Sequence, residues 1–306
     1  MPRLPAGPIR GSVMFLAVVL NTLGHGLPLI ALALVKLALP WARWRRAWTR
    51  LLTAIAENWI AVNSALLRAV AQTRLEVRGL EGLRRDRWYL VIANHRSWAD
   101  IVALQAVLNR RVPLLRFFIK RELRWVPVLG LAWWALDMPF LKRHTRDELE
   151  RRPELRGVDL ETTRRACARF REHPTAVMSF VEGTRYTAEK RAASGSPYAH
   201  LLRPRSGGVA LVLGALGPVL TEILDVTIAY PEHGGGFWDL CCGRIGRIVI
   251  EVGHHPLEAW LSAGDYAADE GFRARFQAWL GALWNTKDAR LAALLPAAPG
   301  SVARGG

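Results

Sequence analysis

His95 is followed five residues later by Asp100, within the run Asn94-His95-Arg96-Ser97-Trp98-Ala99-Asp100. The run comes directly after Trp88-Tyr89-Leu90-Val91-Ile92-Ala93, an apolar stretch of strand length. An Asp at a helix start can fold back across a short turn onto one imidazole nitrogen. That contact fixes the tautomer and leaves the other nitrogen basic and facing outward, the arrangement of a general base. By residue type Ser97 or Asn94 caps the helix. The same spacing also arises by chance, with a satisfied loop His and a capping Asp, so a second constellation is needed.

Glu182-Gly183-Thr184-Arg185 supplies it, at the end of a second apolar stretch, 176–181. Gly permits close backbone approach, Thr offers a hydroxyl, and Arg is a forked donor suited to phosphate. Between the two runs lies Lys120-Arg121-Glu122-Leu123-Arg124-Trp125-Val126-Pro127-Val128-Leu129-Gly130, continuing to Phe140-Leu141-Lys142-Arg143. Cationic ends flank a Trp-rich apolar centre, which suits a substrate with an anionic head and a fatty tail. A buried hairpin with snorkelling ends has the same pattern. Downstream, Arg203-Pro204-Arg205-Ser206-Gly207-Gly208 is another basic, glycine-containing loop.

These runs need a scaffold. From about residue 75 the chain alternates between strand-like and helix-like segments. Strands are expected at 75–77, 88–93, 117–119, 176–181, 223–230 and 247–252, and helices at 100–109, 159–172, 208–216 and 272–284. Alternation of this kind predicts an α/β domain over 75–290, a mixed central sheet flanked by helices. Residues 291–306 are Ala/Pro/Gly/Ser-rich and read as a disordered tail. Residues 1–74 read as a membrane-embedded helical segment followed by an amphipathic helix. Across 13–35 the one titratable side chain is His25, and the stretch is long enough for a ~30 Å hydrocarbon core. Gly24, His25, Gly26 and Pro28 interrupt it, so two shorter helices in a re-entrant hairpin fit as well as one span. Next, Trp44, Trp48, Leu51, Ile55, Trp59, Val62, Leu66 and Val70 recur at helical spacing behind an Arg cluster. That pattern fits either an interfacial helix on anionic headgroups or a helix packed on the domain. The Arg cluster places this side in the cytoplasm.

The formal charge of +16 calls for an anionic partner: lipid headgroups, nucleic acid or a phosphorylated substrate. The basic residues are spread along the chain and no nucleic-acid fold signature is present, so a nucleic-acid partner is not expected. Gly-x-Ser-x-Gly and His-Glu-x-x-His are both absent, which argues against a serine hydrolase and a zinc peptidase. Cys167, Cys241 and Cys242 lack metal-ligand spacing, and their odd number argues for a reducing compartment. His254-His255 reads as a loop pair without a third ligand, and no metal is expected. Asp137, in an apolar stretch, has no assignable role from sequence.

Taken together in order and spacing, these blocks resemble the glycerolipid acyltransferase superfamily, whose best-known members are the 1-acylglycerol-3-phosphate acyltransferases. The resemblance covers about residues 88–231. Its last two blocks, Arg203 to Gly208 and Asp225-Val226-Thr227-Ile228-Ala229-Tyr230-Pro231, look most like the branch of lysocardiolipin-type enzymes and their bacterial relatives. Val181 stands where many relatives have Pro. The resemblance implies an O-acyltransferase in which His95 is the general base and Asp100 orients it. Lys120, Arg143 and Arg185 would hold the acceptor phosphate, and Glu182, Gly183 and Thr184 would shape the acceptor site. It implies direct attack on a thioester without a covalent intermediate. Acyl-CoA or acyl carrier protein would be co-substrate, with no further cofactor. Lysophosphatidic acid would be the acceptor and phosphatidic acid the product; another lysophospholipid or glycerol 3-phosphate is the alternative. Membrane lipids would be partners, and the site would face the cytoplasm at the inner membrane. The non-enzyme alternative is a basic membrane-surface or nucleic-acid-binding protein.

Overall fold

The computed structural model describes residues 7–38, 41–141, 151, 155–232 and 235–296. The elements, in order, are helices α1 (Pro8–Ala38) and α2 (Ala42–Leu66); strands β1 (Arg74–Arg78) and β2 (Tyr89–Ala93); helix α3 (Ala99–Leu108); strands β3 (Leu115–Phe117) and β4 (Ile119–Lys120); helix α4 (Leu129–Ala135); strand β5 (Phe140–Leu141); helix α5 (Leu155–Phe170); strand β6 (Ala176–Phe180); helices α6 (Ala188–Ser194) and α7 (Ser206–Leu216); strand β7 (Glu222–Ala229); helix α8 (Phe237–Cys241); strand β8 (Arg247–Pro256); and helix α9 (Glu270–Leu294).

Six strands form one mixed sheet in the order β1-β8-β7-β2-β6-β3, and β4 and β5 make a separate two-stranded piece. Within the large sheet only β7 and β8 run antiparallel. Strand β2 is completely buried along its length, as a parallel strand covered on both faces must be. Tyr89, Val91 and Ala93 face α3 through Ala99, Ala103, Leu104 and Val107. Leu90 and Ile92 face the opposite way, toward Val209, Val212 and Leu213 of α7 and Phe276, Leu280 and Trp284 of α9. The period-two side-chain alternation of a strand thus feeds two cores, one on each face.

Of the two readings left open for residues 13–35, one helix or two, a single helix forms: α1 runs unbroken through Pro28. Pro28 removes one backbone donor and crowds the carbonyl four residues back, and Gly24 at that position has no side chain to add to the crowding. Helix α9 continues past residue 290 to Leu294, because Leu291 is fully buried in the second core. Of the expected tail, 297–306 lie outside the described residues. His254 sits on β8 rather than in a loop, bonded to the Glu222 carboxylate at 2.8 Å and the Gly79 carbonyl at 2.9 Å.

Helices α1 and α2 pack on each other and on the α/β body. Leu29 and Ala33 of α1 meet Leu52, Ala56 and Ile60 of α2 in a third core that includes Ala132, Ala135 and Leu136. The start of α1 is tied to the body by Gly7 N–H to the Cys242 carbonyl (3.0 Å) and Arg10 to Gln72 (3.2 Å). Its end is tied by Lys36 to Asp137 at 3.7 Å, and buried Arg116 approaches the same carboxylate at 3.9 Å. Asp137 therefore has a structural role that the sequence did not reveal. Midway, Val128 adopts φ 61° and ψ −52°, with Leu129 N–H bonded to the Pro127 carbonyl at 2.6 Å. This is a strained γ-turn on a β-branched residue. A Cβ on Gly26 would stand 2.6 Å from Val128 Cγ1, so α1 needs glycine there to pass the turn.

Candidate active site

Strands β2, β6 and β7 are parallel neighbours, so their carboxyl ends lie on one edge of the sheet. Ala93 pairs with Phe180 and with Val226. His95 follows β2, Glu182 to Arg185 follow β6, and Tyr230 follows β7. Loops beyond the carboxyl ends of parallel strands are the usual place for an α/β site. The turn after β2 is held by Asn94, which acts as a backbone mimic rather than a helix cap. Its amide donates to the Ile228 carbonyl (2.9 Å), and its oxygen accepts from Ile228 N–H (2.8 Å).

His95 Nδ1 lies 2.8 Å from Asp100 Oδ2. An ionised carboxylate is acceptor-only, so Nδ1 carries the proton and Nε2 presents a lone pair. Asp100 is fully buried in the first turn of α3. Its Oδ2 also accepts from Arg96 N–H (2.7 Å) and Ser97 N–H (2.9 Å), and its Oδ1 accepts from the Tyr230 hydroxyl. The imidazole stacks on Phe180 with ring centroids 4.0 Å apart, and its side chain is 16% exposed. It is thus fixed on one side and open on the other. Ser97 does not cap α3 alone; it accepts from Ala99 N–H and donates to the Gly235 carbonyl.

Glu182 is brought to the same place. It is buried, with Oε2 accepting from His95 N–H and Oε1 from Leu202 N–H, both at 2.8 Å. Tyr186 N–H donates back to the His95 carbonyl (2.7 Å). Glu182 therefore braces the His95 loop against the 201–205 loop. Burial pushes its carboxyl up to about 7; the two N–H donors and the charges of Arg96 and Lys287 pull the other way.

Gly183 has φ +71°, and a Cβ there would fall 2.9 Å from Arg205 Cδ. Both the left-handed backbone and the close approach call for glycine. Thr184 Oγ1 accepts from Lys190 Nζ at 2.9 Å. Arg185 is exposed, with its guanidinium over the Trp98 ring at 5.3 Å. Lys120 is exposed on β4, paired in register with Leu141. Arg143 lies outside the described residues.

Several site residues had escaped the sequence reading. Phe180, Trp98 and Leu202 lie in or directly beside the runs read from the sequence, but no role was assigned to them. Tyr230 stood in a quoted block without a role, its signal being a position just past a strand that neighbours β2. Behind Glu182, fully buried Lys287 of α9 reaches Asp225 Oδ1 and the Val226 carbonyl, both at 2.6 Å. Burial lowers the affinity of that lysine for its proton, and Asp225 opposes the effect. Among the described residues no group of three or more potential metal ligands occurs.

The fold and site define an α/β protein with a carboxylate-backed histidine at the carboxyl edge of its sheet. A family model described as Acyltransferase matches residues 74–230, and the chain belongs to that family. It is 26% identical over 214 residues to the human "1-acyl-sn-glycerol-3-phosphate acyltransferase delta" and 27% over 213 residues to the mouse gamma protein of that name. Each match covers 65% of this chain, and the chain spans about half the length of the curated relatives it matches (51%). In fold it is similar to the crystal structure of the 1-acyl-sn-glycerophosphate (LPA) acyltransferase PlsC from Thermotoga maritima. That likeness has a TM-score of 0.56 and 19% identity, and covers 91% of this chain and 97% of that one.

Proposed function

We propose that the protein is a membrane-attached 1-acylglycerol-3-phosphate O-acyltransferase. It moves an acyl group from acyl-CoA or acyl carrier protein to the free hydroxyl of lysophosphatidic acid, giving phosphatidic acid. The observation that carries this is the His95–Asp100 pair, with Nδ1 engaged and Nε2 left to accept, on a chain whose relatives bear that activity in their names. Nε2 takes the proton of the acceptor hydroxyl while the oxygen attacks the thioester carbonyl. The C–S bond breaks, and the thiolate takes the proton back from the imidazolium. Buried Asp100 stabilises that cation, and general-base help of this kind contributes on the order of 10²–10⁴-fold. Lys120, Arg143 and Arg185 hold the acceptor phosphate. Glu182 and Gly183 serve the acceptor site by fixing the loops around it.

Helix α1 supports membrane attachment. It has 31 residues with a mean hydropathy of 1.9 over its most apolar window, long and apolar enough to cross a membrane. Ile9, Val13, Leu16, Leu20, Leu23 and Leu27 are exposed along it. Both its ends are tied to the α/β body, which favours a helix lying along the bilayer with this stripe among the acyl chains. Exposed Arg43, Arg45, Arg46 and Arg50 on α2 suit anionic headgroups of the cytoplasmic leaflet of the inner membrane.

The test is mass spectrometry of products formed by the purified protein from defined acyl thioesters and a panel of acceptors. The expected product is phosphatidic acid from lysophosphatidic acid. Preference for lysophosphatidylglycerol or glycerol 3-phosphate would move the acceptor assignment, and no product from any acceptor would overturn the enzyme.

A further inference from the structure

On the acyl-transfer reading, we propose that Tyr230 is a positioning residue: its hydroxyl holds the second carboxylate oxygen of Asp100 and so keeps the His95–Asp100 pair from taking a second proton, beyond the one on Nδ1, at rest. The two residues are 130 positions apart and are joined because β7 lies beside β2. Tyr230 is 5% exposed and Asp100 is fully buried, so water does not substitute for the hydroxyl. With His95, Arg96 N–H and Ser97 N–H on Oδ2 and Tyr230 on Oδ1, Asp100 receives four donors. Burial, with the Asp100 charge beside it, pushes the Tyr230 phenol well above its ordinary range, so the hydroxyl stays a donor.

The consequence follows from charge. Each donor spreads the carboxylate charge and weakens its pull on a proton. Without the Tyr230 donor, the carboxylate concentrates its charge and the pair binds a proton more tightly, whichever atom carries it. An imidazole that already holds a second proton, on Nε2, cannot accept the substrate's. The hydroxyl also pins Oδ1, which leaves Oδ2 turned toward Nδ1. The other ionisable neighbours are Arg96 in the same loop, Glu182 from the end of β6, and Lys287 of α9 behind Glu182. None of them replaces the donor: among the described residues the hydrogen bond to Asp100 Oδ1 comes from Tyr230.

The test compares the parent with Tyr230→Phe and with 3-fluorotyrosine installed at position 230, whose more acidic phenol is a stronger donor. The readouts are the acid limb of kcat/KM against pH and the NMR titration of the His95 imidazole. That resonance is identified among the eight histidines by its loss in His95→Gln. In Tyr230→Phe both midpoints move to higher pH by about one unit, a roughly tenfold change in proton affinity. With fluorotyrosine they move lower. In an Asp100→Asn background neither change at position 230 moves the His95 titration. Midpoints that stay at the parent value in both variants overturn the proposal, even if turnover falls, because a purely structural role loses activity without moving a titration. If Tyr230→Phe does not fold, an unmoved fluorotyrosine protein is sufficient to overturn it. The NMR titration needs no turnover. A parent that transfers no acyl group therefore sinks the function, whereas an unmoved titration sinks the Tyr230 role.

Discussion

The α/β body and the N-terminal helix pair place their polar and apolar groups in opposite senses. In the body, β2 is buried along its whole length, and the carboxylates of Asp100 and Glu182 have donors on all four oxygens. In the helix pair, Leu16, Leu20 and Leu27 of α1 are more than half exposed. Asn21 and His25 of α1 face the partner helix instead: Asn21 Nδ2 reaches Asn63 Oδ1 at 2.8 Å and the Trp59 carbonyl at 3.1 Å, and His25 meets Asn58 at 3.0 Å. The first arrangement suits a protein in water, the second one against lipid, where helices adhere through polar contacts and leave apolar surface outward. On the proposed function, chemistry and attachment are divided between these two regions, and substitutions should separate them.

The largest effect is expected from His95→Ala, which should lower kcat on the order of 10²–10⁴-fold and leave flotation with vesicles unchanged. Near-normal turnover would break the division at its catalytic end. Next, Leu16, Leu20 and Leu23 changed together to Ser should weaken vesicle partitioning on the order of 100-fold, while turnover of a short-chain monomeric substrate stays at the parent value. Undiminished flotation would remove α1 from the attachment surface. A smaller effect, about tenfold, is expected for Arg185→Ala on the KM of a phosphate-bearing acceptor, with little change in the KM of the acyl donor. Equal changes in both would count against a phosphate clamp.

The smallest effect concerns stability. The Glu182 carboxyl is raised from 4.5 to about 7 in the folded protein. Between those values the folded state binds more protons than the unfolded chain, so stability present below pH 4.5 is lost as pH rises to about 7. Glu182→Gln removes that slope and flattens Tm against pH by on the order of a few degrees. A Gln offers one acceptor for two N–H groups, so Tm in the variant is also lower at acid pH. An unchanged slope would show that Glu182 does not carry the dependence.

How much of this was legible follows from the range of each interaction. The His95–Asp100 contact spans one turn, and its spacing suggested it once the Glu182 to Arg185 run stood beside it. The buried strands at 88–93, 176–181 and 223–230 were equally plain as apolar runs between polar turns. Glu182 was legible as a site residue but not in its manner of acting. A carboxylate beside a glycine and an arginine reads as a ligand, and only the folded chain shows both oxygens taken by backbone N–H groups from two other loops. The continuity of α1 was left open because Gly24, His25, Gly26 and Pro28 signal a break by local propensity. Packing against α2 and α4 outweighs that propensity.

Spacing and periodicity by themselves marked the His95 and Glu182 runs, the two strands that precede them and the apolar helix near the N-terminus, while the class of chemistry came with the family resemblance. Each of those runs and elements depends on residues close together in the chain. The order of strands in the sheet decided the rest: that Tyr230 meets Asp100, that Leu202 meets Glu182, and that Lys287 and Asp225 are buried together. Those contacts join residues between 20 and 130 positions apart. No local pattern encodes them, because backbone hydrogen bonds between strands can be satisfied in many orders. Only the fit of two cores on the two faces of β2 selects one.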